Sequence, residues 1–355
     1  MDAGNDEITD YKAKDILKII SKAILFITIG ILILCIISPI FAAKWYTDYG
    51  GVSRKIKGMY YEPENTIDII MLGNSDMYNG ISPMKLWKDT GITSYHIGTP
   101  MQTTWTSYYL LKDFLKTQNP KLVLIEVDYI FESEDRKEEN LRQAIDSMKF
   151  SKNKLELIND SVYNNSLYDK ISYVFPFFRY HTRWNELSKK EIEEGYNKYE
   201  VPFKGYELTK SIKPYPKADR PKIDEKDSKK KIEEIPENSK YYLEKILELC
   251  KENNIEVMFT YIPTISSWSK EKHEIFSNYA KENNLKFVDY NLIDFDWKKN
   301  TRDKGRHLNV YGAEVITGLL ENELVSYNFV DHRNDENYSK WNEYYKLYEA
   351  IKNKK

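Results

Sequence analysis

Ile67-Asp68-Ile69-Ile70-Met71-Leu72-Gly73-Asn74-Ser75-Asp76 is the stretch from which the fold can be read. Its first six residues, mostly β-branched or apolar, predict a buried strand, and the glycine and polar residues after them predict its carboxyl-terminal turn. Ser75 then stands at a strand-to-helix corner. Open α/β sheets bind ligands at such corners, because backbone N–H groups and side chains face a crevice there. Gly-x-Ser after a strand also describes an ordinary turn or a phosphate-cradling loop, so the tetrapeptide needs a partner. That partner lies far along the chain, in Asp303-Lys304-Gly305-Arg306-His307-Leu308-Asn309, followed by Val310-Tyr311-Gly312-Ala313.

Outward from the first strand, the pattern alternates. Ser82 as N-cap, Pro83 at the first helical position and Gly91 past the end frame a short helix. A second strand runs from Thr93 to Gly98, a helix from Thr103 to Gln118 stops before Pro120, and Lys121 to Val127 is a third strand. After an interruption the rhythm resumes with a helix at 240–253, a strand at 255–262, a helix at 269–283, a strand at 286–290 and a closing helix at 312–324. This succession predicts an α/β domain over residues 66–325, three layers α/β/α around a mostly parallel sheet. The interruption, an insertion over 134–235, is mainly helical in pattern. Its most aromatic part, Tyr173 to Trp184, reads as a hydrophobic cluster docking the insertion on the sheet, or else as a substrate lid. Lys213 to Glu237 reads as an extended connector. In the tail, 326–355, Tyr338, Trp341, Tyr344, Tyr345, Tyr348 and Ile351 fall at helical spacing, a docking face for the domain or for a partner.

The amino-terminal region has a different solvent. Residues 1–22 form a polar tail, Ala23 to Ala43 contains no charged residue, and 44–65 reads as a juxtamembrane linker. A charge-free helix of that length spans about 30 Å of hydrocarbon, enough for one membrane crossing. Phe41 occupies a place that signal cleavage requires to be small, so a retained anchor is the expectation. Lysines flank both ends, with Lys44, Arg54, Lys55 and Lys57 after the span, and the short tail ahead of a large domain places the tail inside and the domain outside. The net charge of -2 gives no electrostatic reason to expect nucleic acid as a partner. Two cysteines, Cys35 and Cys250, imply no disulfide framework.

A serine hydroxyl attacks at neutral pH only if a base takes its proton, and histidine suits that task. Of the five histidines, His273 and His332 sit in polar surroundings and read as solvated, while His96 and His181 read as packed, hydrogen-bonded residues. His307 precedes the closing helix and has Asp303 four positions before it. A carboxylate so placed fixes the imidazole tautomer and stabilises the imidazolium. A solvated loop histidine is the other reading.

Gly73-Asn74-Ser75 after the first strand and Asp303-x-x-x-His307-Leu308-Asn309, in that order, resemble the SGNH (GDSL-type) hydrolase superfamily, whose domain is flavodoxin-like. The anchor, together with Tyr95-His96-Ile97-Gly98 leading to Gln102, is similar to its membrane-anchored branch, which includes the D-alanyl transfer protein of teichoic acid modification and the alginate-type O-acetyltransferases. The resemblance covers about residues 66–130 and 240–325. It implies Ser75 as nucleophile, His307 as base and Asp303 as its partner, with the amides of Ser75 and Gly98 as an oxyanion hole and with Gln102 and Asn74 beside them. Three departures stand out. Asn74 replaces an aspartate. The Asp303–His307 spacing is one residue longer than usual, which leaves Asp294 or Asp296 as alternative partners, or the carboxylate dispensable. Asp128-Tyr129 stands where a third oxyanion donor, an asparagine, is expected.

The expected function is a membrane-anchored, extracytoplasmic serine esterase or O-acyltransferase acting on acyl esters of cell-envelope glycopolymers. No metal-ligand cluster, nucleotide loop or heme motif is present, so neither metal nor cofactor is expected. The resemblance implies a multispanning membrane-bound acyltransferase as partner. The alternative is a catalytically weak SGNH-like scaffold or glycan-binding module of the envelope.

Overall fold

The computed structural model describes residues 3–47, 49–133, 137–160, 166–215 and 234–354, with the backbone alone over 3–13. Most of the expected connector, residues 216–233, therefore lies outside the described residues. The chain divides into two units, one of Met1–Ala43 with Ser166–Asn197 and the other of Lys44–Asn165 with Lys198–Lys355. The expected insertion is divided between them.

In the larger unit five strands form one parallel sheet: β1 (Ile69–Leu72), β2 (Ser94–His96), β3 (Leu122–Glu126), β4 (Glu256–Tyr261) and β5 (Lys286–Asp289), in the order β2-β1-β3-β4-β5. Ile69 pairs with Ser94 on one side and with Leu122 on the other, which makes β1 central. Every residue of β1 and β3 is buried, as a strand covered on both faces requires. Side chains alternate between the faces. Ile69, Met71, Leu122, Leu124 and Met258 enter one core with Met77, Leu86, Ile316 and Leu320 from the helices Ser75–Gly80, Pro83–Thr90 and Val310–Leu324. Phe259 packs edge-on to Phe276 of the helix Lys270–Glu282, ring centroids 5.5 Å apart. The α/β sandwich and the helical interruption are as the alternating pattern predicts.

In this order the chain passes from β1 outward to β2 and then crosses back over β1 to β3, so β2 and β3 lie on opposite sides of β1. The crevice between the carboxyl ends of β1 and β3 is the topological switch point of such a sheet. Ser75 stands at that crevice.

Two regions differ from the sequence reading. The stretch expected as a linker carries the helix Val52–Gly58, with Val52, Ile56 and Lys55 buried. The Lys55 ammonium lies 3.4 Å from the centre of the Tyr78 ring, so it belongs to the domain and is not a membrane-flanking charge. The tail helix Ser339–Asn353 docks on the domain itself, since Trp341 meets Trp87 at 5.3 Å and Tyr344 and Tyr348 are buried.

The smaller unit contains the helix Ala3–Phe41, of which Lys14–Phe41 is long and apolar enough to cross a membrane. Within this unit the aromatic segment, Tyr173 to Trp184, meets the end of the helix. Phe177 packs edge-on against Phe41, ring centroids 5.1 Å apart, and Arg183 donates to the carbonyls of Phe41 and Ala42. The last carbonyls of a helix have no partner within it, and the guanidinium supplies one.

At the carboxyl end of β3, Asp128 is buried and accepts from Lys272 Nζ at 2.8 Å and Tyr261 Oη at 2.7 Å. Burial alone would raise its pKa, and the lysine beside it holds it below the ordinary value. Lys272→Ala leaves that carboxylate buried without its cation and is expected to lower stability by about 3–5 kcal/mol, read as a shift in the midpoint of urea unfolding at pH 7.

Candidate active site

Two turns converge at the switch point. In the first, Asn74 caps the helix Ser75–Gly80, its Oδ1 accepting from the Asp76 amide at 2.9 Å. The Asn79 side chain donates to the Ser75 carbonyl at 2.6 Å. Gly73 can carry no side chain, since a Cβ there would fall 2.7 Å from that of Met77 and 2.9 Å from that of Glu126.

The second turn is built on Asn309, which caps the helix Val310–Leu324 by accepting from the amides of Tyr311 and Gly312. Its Nδ2 donates to the carbonyl of Lys299 at 2.8 Å. Leu308 is buried in the core and pairs with Thr301 in a single antiparallel bridge. Between them the chain reverses through Lys304 (φ 66°) and Gly305 (φ 93°). This reversal accommodates the extra residue in Asp-x-x-x-His.

The reversal turns the Asp303 carboxylate back on His307. One oxygen accepts from the His307 amide at 2.7 Å, and the other lies 2.5 Å from Nδ1. Nε2 lies 2.8 Å from Ser75 Oγ. With Nδ1 protonated toward the carboxylate, Nε2 presents a lone pair to the serine O–H. Burial pushes the Asp303 carboxyl up, but the bonds from the His307 ring and amide outweigh it and hold the pKa below the ordinary value. Asp296 is spent on the amides of Lys298 and Lys299, and Asp294 is exposed. Ser75, His307 and Asp303 are thus brought together, and neither alternative carboxylate joins them.

Gly98 abuts the first turn, where a Cβ would fall 2.4 Å from the Gly73 carbonyl oxygen. Among the described residues, neither the Ser75 nor the Gly98 amide has a hydrogen-bond partner. Gln102 is in the adjoining loop, but its amide is committed. Oε1 accepts from the Thr99 amide, and Nε2 donates to the Ile97 carbonyl at 3.1 Å and to Ser107 Oγ at 2.8 Å. Gln102 therefore shapes the loop and has no free N–H for an oxyanion. Asn74 acts on the turn through its cap.

Sequence reasoning missed Asp76. Its carboxylate is buried, with Oδ1 3.8 Å from His307 Nε2. Burial pushes its pKa up to about 7, with Asp128 and Glu132 adding to the rise and His307 and Arg306 opposing it. Glu126 is also raised, first by burial and then by Asp128 and Asp76, although it accepts from the amides of Asp128 and Tyr129. An acid immediately after the serine was visible in the sequence. What was not visible is that β1 and β3, being neighbours, stack their terminal acids in one dry corner.

The other histidines have separate tasks. His96 is buried and bonded to the Ile81 carbonyl at 2.9 Å, and burial beside Lys55 lowers its pKa to about 3. His181 lies 3.2 Å from the Phe178 carbonyl. His273 and His332, expected to be solvated, have carboxylate partners: Asp289 at 2.8 Å and Asp68 at 3.4 Å.

No family model and no curated protein matches the chain. Among solved structures it is similar to a presumed acylhydrolase from Bacteroides fragilis, at 14% identity over 79% of this chain and 98% of that one, with a TM-score of 0.38. It is also similar to a GDSL-like lipase from Bacteroides thetaiotaomicron, at 14% identity over 73% of this chain and 87% of that one, with a TM-score of 0.33.

Proposed function

We propose that the chain is a membrane-anchored serine esterase or O-acyltransferase, with Ser75 as nucleophile, His307 as base and Asp303 as its orienting carboxylate. One observation carries this reading: residues 232 apart in sequence, Ser75 and His307, share a 2.8 Å contact while the far side of the same ring faces a carboxylate.

The reaction follows from the geometry. Ser75 Oγ adds to the ester carbonyl as its proton passes to His307 Nε2, and the Asp303 carboxylate stabilises the imidazolium. The oxyanion of the tetrahedral intermediate is placed against the Ser75 and Gly98 amides. Collapse breaks the bond to the leaving alcohol, which takes the proton from Nε2 and leaves an acyl ester on Ser75. A second hydroxyl, from water in hydrolysis or from a sugar or alditol in transfer, gives its proton to Nε2 and attacks that ester. Serine is released in its starting protonation state.

Supported by the apolar helix and by the resemblance, the proposal extends to an extracytoplasmic domain, acyl esters of envelope glycopolymers as substrates and a multispanning acyltransferase as donor partner. The scaffold reading has one observation in its favour, since Asp128 is committed to Lys272 where a third oxyanion donor is expected.

In detergent solution, the full chain is expected to hydrolyse a chromogenic acetyl ester and to be labelled by a fluorophosphonate. Ser75→Ala and His307→Ala should each lower turnover about 10³-fold or more and abolish labelling. Labelling that survives Ser75→Ala would sink the proposal. Asp303→Asn should lower kcat about 10²-fold or more at little cost in KM, and an unchanged kcat would assign the carboxylate a purely structural role.

Asp76 supplies a pH signature. Its folded pKa lies above its unfolded value, so its contribution to stability is greatest below about pH 4, declines as the pH rises toward 7 and is level above. Asp76→Asn removes that decline. The variant should gain stability over the wild type between pH 4 and 7, by an amount on the order of 4 kcal/mol, read from urea midpoints across that range; parallel profiles would place the titration elsewhere.

A further inference from the structure

The smaller unit contains a feature that the proposed chemistry does not use. Two short helices, Phe177–Tyr180 and Lys189–Tyr196, pack on the last turns of the apolar helix, and a third, Leu167–Val174, packs on Phe177–Tyr180 through Tyr168 and Phe178. They are fixed at a definite height. Tyr196 Oη donates to the Ile36 carbonyl, a Cβ on Gly195 would fall 2.9 Å from the Pro39 carbonyl oxygen, and Arg183 donates to the carbonyls of Phe41 and Ala42 at 3.1 and 3.3 Å. From Ile36 to Ala42 the helix rises about 9 Å, close to the roughly 5–8 Å depth of one polar interfacial layer of a bilayer.

The outward surface of these helices is unusual for contact with water. Leu167 and Trp184 are 74% and 72% exposed, and Tyr168 and Ile171 are also exposed. Leu167, Tyr168 and Ile171 share one face of a single helix turn. Over 166–197 five basic residues balance five acidic ones, and Arg183 is paired with Glu186 and Glu191 as well as with the helix end. Exposed aromatic and long apolar side chains at the end of an apolar span match the chemistry of the membrane–water boundary, where amphipathic rings sit at headgroup level.

We propose that Ser166–Asn197 is a collar lying in the membrane interface, with Leu167, Tyr168, Ile171 and Trp184 in contact with lipid. The proposal rests on the reading of Lys14–Phe41 as an anchor. Its occupant is a lipid surface, because the collar is continuous with the only helix among the described residues that is long and apolar enough to enter one.

The test uses the full chain in vesicles of phosphatidylcholine and phosphatidylglycerol, with and without phosphatidylcholine brominated on the acyl carbons nearest the headgroup. Flotation with the vesicles reports the anchor, and quenching of tryptophan emission reports the collar. The chain has seven tryptophans. Brominated lipid should quench the wild type more than Trp184→Phe, by about one tryptophan's share in seven, and the conservative ring leaves the packing in place. Flotation with equal quenching of the two proteins overturns the collar while leaving the anchor intact, and assigns the apolar face to a protein partner. Failure to float overturns both.

Discussion

A hydroxyl and an imidazole share a proton only when their heavy atoms stay within a few tenths of an ångström of hydrogen-bond distance, and here the two groups come from opposite ends of a domain. The contact between Ser75 and His307 therefore depends on two turns being held still. Each is held in the same way, by an asparagine cap (Asn74 or Asn309) on a helix whose apolar side is buried in the same core as β1. Leu308, next to the base, enters that core directly. Gly98 lets a third loop approach the first without a side chain in between. The precision of the dyad is thus a property of the sheet and of the two helices covering one of its faces, Ser75–Gly80 and Val310–Leu324.

Electrostatics adds a second constraint. Parallel strands end together, and here β1 and β3 deliver Asp76, Glu126 and Asp128 to one water-poor corner. Like charges cannot all be carried there. The corner resolves the conflict unequally. Asp128 is ionised against Lys272, and Glu126 and Asp76 are pushed toward their neutral forms. A partly protonated Asp76 moderates the negative potential at Nε2, while Asp303, on the other side of the ring, retains its charge. The two sides of His307 therefore face carboxyl groups whose pKa values are pushed in opposite directions, Asp76 up and Asp303 down.

The strands were legible because burial on both faces writes itself as an unbroken apolar run, and their parallel direction follows from the helices between them, whereas their order in the sheet does not. Ser75 and His307 were legible for a different reason, since a polar group after a buried strand and a histidine before a capped helix stand out against their neighbours. The stretched Asp-His spacing could not be resolved in sequence, because it depends on backbone angles at Lys304 and Gly305. Gln102 looked like a donor, as any loop glutamine does, until its bonds to Thr99, Ile97 and Ser107 were located. The packing of the aromatic segment on the end of the apolar helix was not legible, because hydrophobicity states that a surface must be covered and not by what. Lys55 was read as a flank of the apolar span, since burial of an ammonium over a tyrosine ring leaves no trace in local sequence.

The tail helix has a consequence for the order of events in folding. Trp87, on the helix that follows the first turn of the site, is covered by a segment about 250 residues later, with its indole N–H donating to Asn342. Such distant contacts pay their loop entropy late and form slowly. A chain in which only β1 to β3 have assembled therefore carries Ser75 without His307. The contact between Ser75 and His307 therefore forms only with the last third of the domain, and any chemistry that depends on it is withheld from an incompletely folded molecule.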